Sequence, residues 1–291
     1  MAEMNWISRE RILRMCKVRV NLSVALAVLL VCMLGTVVNG QPYLWAADYN
    51  FGTVYKHDAS GGLILKFETD FFGHPTGIDF DGPDLLIGDS FELYNRIYKY
   101  SRQGMQLSYI DLNTVGLEKV VNFEKKALAW DGEFLWYSSS ARFEVYKIKI
   151  NNWAATPGSI EIVGSFPVPG SSPTGLEWDG QSIRLVDNLN NFYQLDPHGA
   201  VLSSFSYSQE VSDLAWDGRY LWAHGGGFDG GTFKLDESGN TLSELPIYYW
   251  PGSGAAWEGV VPEPTSLGLL GLGLLGLVAA RRKQRSDHKN E

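Results

Sequence analysis

Apolar and polar residues alternate in short runs along the middle of the chain, and turn-forming residues punctuate the runs at regular intervals. The clearest unit is Thr76-Gly77-Ile78-Asp79-Phe80-Asp81-Gly82. It returns as Ala127-Leu128-Ala129-Trp130-Asp131-Gly132, as Thr174-Gly175-Leu176-Glu177-Trp178-Asp179-Gly180 and as Asp213-Leu214-Ala215-Trp216-Asp217-Gly218. A decayed copy, Gly254-Ala255-Ala256-Trp257-Glu258-Gly259, ends the series. The final glycines of these five units stand 50, 48, 38 and 41 residues apart, close to the spacing of β-propeller blades.

Each repeat reads as four short strands. The first ends in Asp-Gly, a favoured hairpin turn because both residues tolerate positive φ. The second follows at once, as Leu85-Leu86, Leu135-Trp136 or Leu221-Trp222. The third carries an aromatic or β-branched pair and a polar residue: Ile97-Tyr98-Lys99, Val145-Tyr146-Lys147, Phe192-Tyr193-Gln194. A fourth strand follows a glycine, as after Gly199. Aromatic and β-branched enrichment between turn signals favours strands over helices.

The ends of the array fix the count. Tyr43-Leu44-Trp45 reads as a second strand with no first strand before it, while Gly254 to Gly259 is a first strand with nothing after it. Joined, they complete one blade and leave no open sheet edge. The expected fold is therefore all-β: a five-bladed propeller over residues 41–260, closed by pairing of its N- and C-terminal strands. It resembles the secreted bacterial propellers whose blades repeat Gly-Leu-Ala-Trp-Asp-Gly, Leu-Trp and Tyr-Lys-Leu-Asp, a resemblance that implies a fold and leaves function open.

The two ends differ from this body. Arg9, Arg11, Arg14, Lys17 and Arg19 precede a mostly apolar run over residues 22–38, and Val38 and Gly40 suit the −3 and −1 sites of a signal peptidase. Residues 1–40 are expected to be a cleaved signal peptide; a retained anchor is the alternative, and the lipoprotein reading through Cys32 is weakened by bulky Val31. Both cysteines, Cys16 and Cys32, fall in this segment, so the processed protein would hold no disulfide and rely on an ordinary core. Residues 41–262 carry 14 basic and 28 acidic side chains, a net charge of −14. That balance argues against nucleic acid as a partner and suits cations or neutral sugars.

At the other end, Pro262-Glu263-Pro264 precedes a Gly/Leu-rich apolar stretch at 267–280, then Arg281, Arg282, Lys283 and Arg285. Fourteen apolar residues fall short of the roughly 20 that span a bilayer, and the basic tail would hold its side in the cytoplasm. The order resembles the PEP-CTERM tripartite sorting signal, here over residues 261–291. The resemblance implies exosortase as a partner after signal peptidase, passage through the inner membrane by a transient C-terminal helix, and a final place at the cell surface or outside the cell. It also implies a Gram-negative host that makes extracellular polysaccharide.

Departures from the repeat mark candidate chemistry. At the residue before the first-strand aromatic, Ala129, Ala215 and Ala256 contrast with Asp79 and Glu177. These acids either serve a site on the channel axis or are held by neighbouring backbone N–H groups. Where the second strand turns toward the third stand Asp48, Asp89, Ser139, Asp187 and Gly225. The three aspartates either bind a divalent cation such as Ca²⁺ on one rim or shape their own turns. His74 and His224 are expected in loops of the same rim, as acid/base candidates beside the solvated-loop alternative. Trp250, off the repeat register and near Tyr249 and Phe228, offers a stacking platform for sugar.

No nucleophile elbow, P-loop or zinc spacing occurs in the sequence. The leading reading is a non-enzymatic envelope or matrix protein that binds carbohydrate, such as extracellular polysaccharide, or another envelope component, with no firmly implied cofactor. The alternative is a propeller enzyme. The stretch from Thr76 to Lys99 is similar to glutamine cyclotransferases, yet that family has Gln-Gly at Thr76-Gly77 and an acid where this chain has Ile87, so its catalytic assignment does not transfer. A metal-dependent, lactonase-like hydrolase would need a cation at the rim aspartates. The processed chain should begin near Gln41 and end near Pro264. Intact-mass measurement on protein from the native host checks this, and recovery of all 291 residues there would contradict both processing steps.

Overall fold

Twenty short strands and one 3-10 turn (Leu112–Val115) make up the regular structure of the residues described, 43–69, 74–89, 95–117, 125–225, 231–247 and 254–258. In this computed structural model the strands form five four-stranded antiparallel sheets in sequence order. Blade 1 contains β1 (Leu44–Asp48), β2 (Thr53–His57) and β3 (Leu63–Glu68). Blade 2 is β4 (Pro75–Phe80), β5 (Leu85–Asp89), β6 (Arg96–Tyr100) and β7 (Gln106–Asp111). Blade 3 is β8 (Lys126–Trp130), β9 (Leu135–Ser139), β10 (Glu144–Asn152) and β11 (Ser159–Pro167). Blade 4 is β12 (Pro173–Trp178), β13 (Ile183–Asp187), β14 (Asn191–Leu195) and β15 (Val201–Ser206). Blade 5 is β16 (Val211–Trp216), β17 (Leu221–Gly225), β18 (Thr232–Leu235) and β19 (Thr241–Leu245). The last strand, β20 (Gly254–Trp257), is the inner strand of blade 1.

The five first strands β4, β8, β12, β16 and β20 touch their neighbours in ring order and line the axis. Closure is as the sequence leads one to expect. β20 pairs antiparallel with β1, Leu44 opposite Trp257 and Ala47 opposite Gly254, and the Glu258 N–H donates to the Tyr43 carbonyl at 2.8 Å. The core is divided among the five inter-blade interfaces. Trp45 and Val54 pack with Ile78 and Ile87; Leu86 and Ile97 with Leu128 and Tyr146; Trp136 and Phe166 with Leu176 and Leu185; Val186 and Phe192 with Leu214 and Phe233. The fifth interface, Ala215, Trp222 and Leu245 against Leu44, Ala255 and Trp257, exists only when the chain's ends meet. Burying each large apolar side chain contributes about 1.5–3 kcal/mol, so an open ring forfeits a full share of the core.

The repeated acid of the first turn has a mechanical role. Asp131 accepts from the N–H groups of Glu133 and Phe134 and from the Trp136 indole at 2.8 Å. Asp217 does the same for Arg219, Tyr220 and the Trp222 indole. Lys147 and Lys234 lie over the rings of Trp136 and Trp222, at 4.7 and 5.4 Å. An acid, an indole and a lysine thus tie strands one, two and three of a blade together. In blade 1 the acid comes from the far end of the chain. Glu258 receives the Trp45 indole and the Lys56 ammonium, each at 2.8 Å, and pairs with Arg102 of blade 2. Burial pushes its carboxyl up, but these bonds and the charges of Arg102 and Lys56 outweigh burial and hold it below the usual range.

Among the described residues, blade 3 carries the longest strands, nine-residue β10 and β11. Their tip reaches blade 2. The Gly158 N–H donates to the Tyr109 carbonyl at 2.7 Å, and the Lys99 ammonium sits 4.9 Å from the Trp153 ring centre. This hairpin accounts for the long repeat spacing there and for Trp153, which has no counterpart in the other repeats.

Two predictions follow from the closure. Glu258→Ala leaves the Trp45 N–H and the Lys56 ammonium without their acceptor, a loss of about 2 kcal/mol for a charged hydrogen bond, or a fall of about 4–8 °C in the melting midpoint. An unchanged midpoint would show that the β1–β20 ladder holds blade 1 alone. Removal of residues 254–258 should expose strand edges and give aggregates by light scattering; a monomer melting with the parent contradicts ring closure.

Candidate functional site

An inner strand pairs through one edge within its blade, so backbone N–H groups on its other edge face the axis and need partners. Side chains from neighbouring blades supply them. Asp79 on β4 accepts from the Trp130 N–H on β8. Glu177 on β12 accepts from the Trp216 N–H on β16 at 3.1 Å and from Trp178 at 2.8 Å. Asp213 on β16 accepts from Ala255 of β20 at 3.1 Å, from Leu214 at 2.9 Å and from Leu176 of β12. The Thr76 hydroxyl bridges to the N–H and carbonyl of Lys126, and Thr174 reaches the Val211 carbonyl. The strands approach so closely that a Cβ on Gly77 would lie 2.3 Å from the Lys126 carbonyl, and one on Gly254 would lie 2.9 Å from the Ile78 nitrogen.

Asp79 and Glu177 are therefore brought to the axis as the repeat suggests, and their oxygens hold adjacent strands. Asp213 is the residue that sequence reasoning passed over. It stands where three copies have glycine and one alanine, a departure of the same kind two positions earlier in the repeat. Burial pushes all three acids up: Asp79 to about 7, Glu177 and Asp213 well above the carboxylate range. For Glu177 the charges of Asp79 and Asp213 add to burial, and for Asp213 that of Asp79. Burial lowers Lys125 at the channel mouth, with Glu210 and Asp213 acting against it.

Topology places all turns between second and third strands on one face with the blade-to-blade connections, here called the rim face. Asp48, Asp89 and Asp187 end the second strands of blades 1, 2 and 4 there, all buried. Asp48 accepts from the N–H groups of Asn50 and Phe51. Asp187 accepts from Ser171, Leu189 and Asn191 and from the Tyr193 hydroxyl, bonds that outweigh burial and hold its carboxyl low. Among the described residues no three carboxylate, imidazole or thiol groups gather as a metal-binding set.

His74 lies on the rim face as expected, stacked on Tyr49 with ring centres 4.5 Å apart and its Nδ1 against the Tyr49 carbonyl. His224, expected in a loop, is instead a fully buried residue of β17, bonded to the Thr232 hydroxyl at 2.8 Å. Burial, then the charge of His57, lowers it to about 4. It follows Leu221-Trp222-Ala223 without a turn former, so the strand runs on through it. Trp250, Tyr249 and Phe228 lie outside the described residues.

Among the described residues, three turn tips of the rim face expose large apolar side chains. Phe51, Phe143 and Leu189, at the tips of the turns of blades 1, 3 and 4, are 66%, 50% and 66% exposed. Phe143 has φ 57°, a left-handed conformation that costs a bulky residue energy.

A scan against protein-family descriptions matches residues 260–283 to the PEP-CTERM protein-sorting motif. The chain carries a PEP-CTERM sorting signal. The motif implies recognition by an exosortase, export, and a place at the surface or outside the cell. Its residues, Pro262, Glu263, Pro264, Arg281 and Arg282 among them, lie outside those described; among the described residues no helix is long and apolar enough to cross a membrane. No curated protein matches the chain. Among solved structures, Myxococcus xanthus glutaminyl cyclase is similar over 60% of this chain and 71% of its own, at 14% identity and a TM-score of 0.48. A protein of unknown function from Bacteroides caccae (10% identity, 71% and 73% covered, TM-score 0.43) and the Neurospora crassa Pan2 WD40 domain (13%, 72% and 64%, 0.43) are also similar. These similarities assign no residue of the exosortase-sorted chain a role.

The channel acids generate a pH dependence. A carboxyl raised by folding binds protons that the unfolded chain has released, so its stabilisation is lost as pH rises through the folded pKa. Buried His224, held low, works oppositely between about pH 4 and 6.5, and Lys125, also held low, opposes the acids at the alkaline end. Above pH 6.5 Glu177, Asp213 and the remainder of Asp79 set the trend. The melting midpoint should therefore fall as pH rises above about 6.5, and Glu177→Gln should flatten the fall whatever its own midpoint. A profile level or rising in both proteins contradicts the assignment.

Proposed function

We propose that this PEP-CTERM protein is a non-enzymatic envelope component whose propeller binds carbohydrate on its rim face. The observation that carries the reading is the set of exposed turn tips, Phe51, Phe143 and Leu189, on one face of the ring. Sugar rings pair an apolar C–H face with a hydroxyl edge. Apolar side chains beside Asn50, Asn188, Ser171 and Ser172 offer both surfaces, and exposed apolar patches mark binding sites. Backbone strain at Phe143, maintained where a smaller residue or glycine is free of it, supports the same face. The channel acids favour binding over catalysis for a physical reason: Asp79, Glu177 and Asp213 hold neighbouring strands together, and freeing one for chemistry would loosen the ring.

The signal peptide at 1–40, removed by signal peptidase, and cleavage by exosortase near Pro264 complete the reading. The processed propeller is then free of its membrane segments and faces the polysaccharide of its host. Retention on immobilised exopolysaccharide from that host tests it. Phe51→Ala with Leu189→Ala should weaken binding by about tenfold, near 1.4 kcal/mol, with the melting midpoint unchanged. Equal retention of the variant and the parent, or no retention of either, contradicts the rim reading.

A further inference from the structure

The topology sends both ends of the propeller out through the same face. β1 climbs from Tyr43 to the rim turn at Asp48, and β20 descends from Gly254 at the rim to Glu258. Tyr43 and Glu258 meet through the 2.8 Å bond that follows the β1–β20 ladder. Both therefore lie on the face of the Asp-Gly turns, opposite the rim. Eight residues, 259–266, separate Glu258 from the apolar stretch that begins at Leu267. Fully extended they reach at most about 30 Å. Carrying the rim face to a membrane would use about 20 Å for strand height alone, at about 3.3 Å per residue over six residues, before the chain had rounded the blade.

The chemistry of the Asp-Gly face points the same way. Trp130, Trp178 and Trp216, which end inner strands there, are only half-buried. So are Tyr43, Phe134 and Tyr220, with the ammonium groups of Lys56, Lys147 and Lys234 at 3.8, 4.0 and 3.9 Å from their ring centres. Half-buried tryptophan and tyrosine suit the headgroup layer of a bilayer, where an apolar ring and a polar edge are both satisfied, and the three lysines, paired with Glu258, Asp131 and Asp217, offset acids of the same turns. The rim face carries Phe51, Phe143 and Leu189 and the buried aspartates.

We infer that the Asp-Gly face is a membrane-apposed surface: until exosortase releases it, the propeller sits with this face on the lipid headgroups and its rim pointing away. The inference rests on the sorting reading above. It assigns the lipid surface as the partner of one face and leaves the opposite face open to ligand while the protein is still tethered.

The test uses the full chain with Cys16→Ser and Cys32→Ser, so that one introduced thiol carries a fluorophore. Glu133→Cys and Glu237→Cys report the Asp-Gly face; Asn188→Cys and Asn50→Cys report the rim. All four positions are exposed, and two per face guard against one variant failing to fold. Each is reconstituted in phosphatidylethanolamine–phosphatidylglycerol vesicles that contain a lipid with a nitroxide on its headgroup. Quenching should be severalfold stronger at Glu133→Cys and Glu237→Cys than at the rim positions. Equal quenching, or stronger quenching at the rim, overturns the inference while vesicle flotation still supports a membrane tether. Failure to float removes the tether, and the inference falls with that part of the sorting reading.

Discussion

A propeller whose core lies between blades depends on its last interface. Each blade of this chain buries its faces only against its two neighbours, and the fifth interface unites residues more than two hundred positions apart in sequence. Four-residue β20 has little ladder of its own, so Glu258 matters out of proportion to its size. One carboxylate gathers an indole from β1, an ammonium from β2 and a guanidinium from the β6–β7 turn, at the point where the chain's ends meet. Blades 3 and 5 make the same knot from local residues. Only here does it close a circle, at the cost of a large loop entropy.

Closure also arranges the chemistry. Five inner strands drawn together leave backbone donors facing the axis, and the channel acids answer that need across three of the five gaps. Their raised protonation follows from holding carboxylates in a dry, narrow space near one another. The result is a channel that serves the ring, while the turns of one face are free to carry exposed apolar side chains. The same connection puts both chain ends on the opposite face, where the sorting segment continues. Tyr43 and Glu258 are thereby separated from the exposed turn tips by the height of the propeller.

The fold was largely legible because its signals are local and repeated. Asp131, Asp179 and Asp217 occupy equivalent turns, and the unpaired strand pieces at Tyr43 and Gly254 could be satisfied only by each other. The site was less legible. Asp79 and Glu177 stood out against alanine, but their bonds run to backbone groups 51 and 39 residues away, respectively, which no sequence column displays. Asp213 replaces glycine at a position whose meaning, close approach of the next strand, appears only in three dimensions. His224 is buried on β17 and bonded to Thr232 of the next strand, a pairing that its local sequence does not display. Exposure of Phe51, Phe143 and Leu189 depends on which faces the ring leaves uncovered, a property of closure and not of any single repeat.

Native-state amide exchange on β20 probes the central claim, that the terminal strand is an integral part of the ring. If closure holds the fold together, the amides of Ala255 and Trp257 should exchange only through global unfolding, with the same free energy and denaturant dependence as those of β8 and β12. Exchange of β20 through local opening, at a much lower free energy while the other inner strands stay protected, would contradict the account.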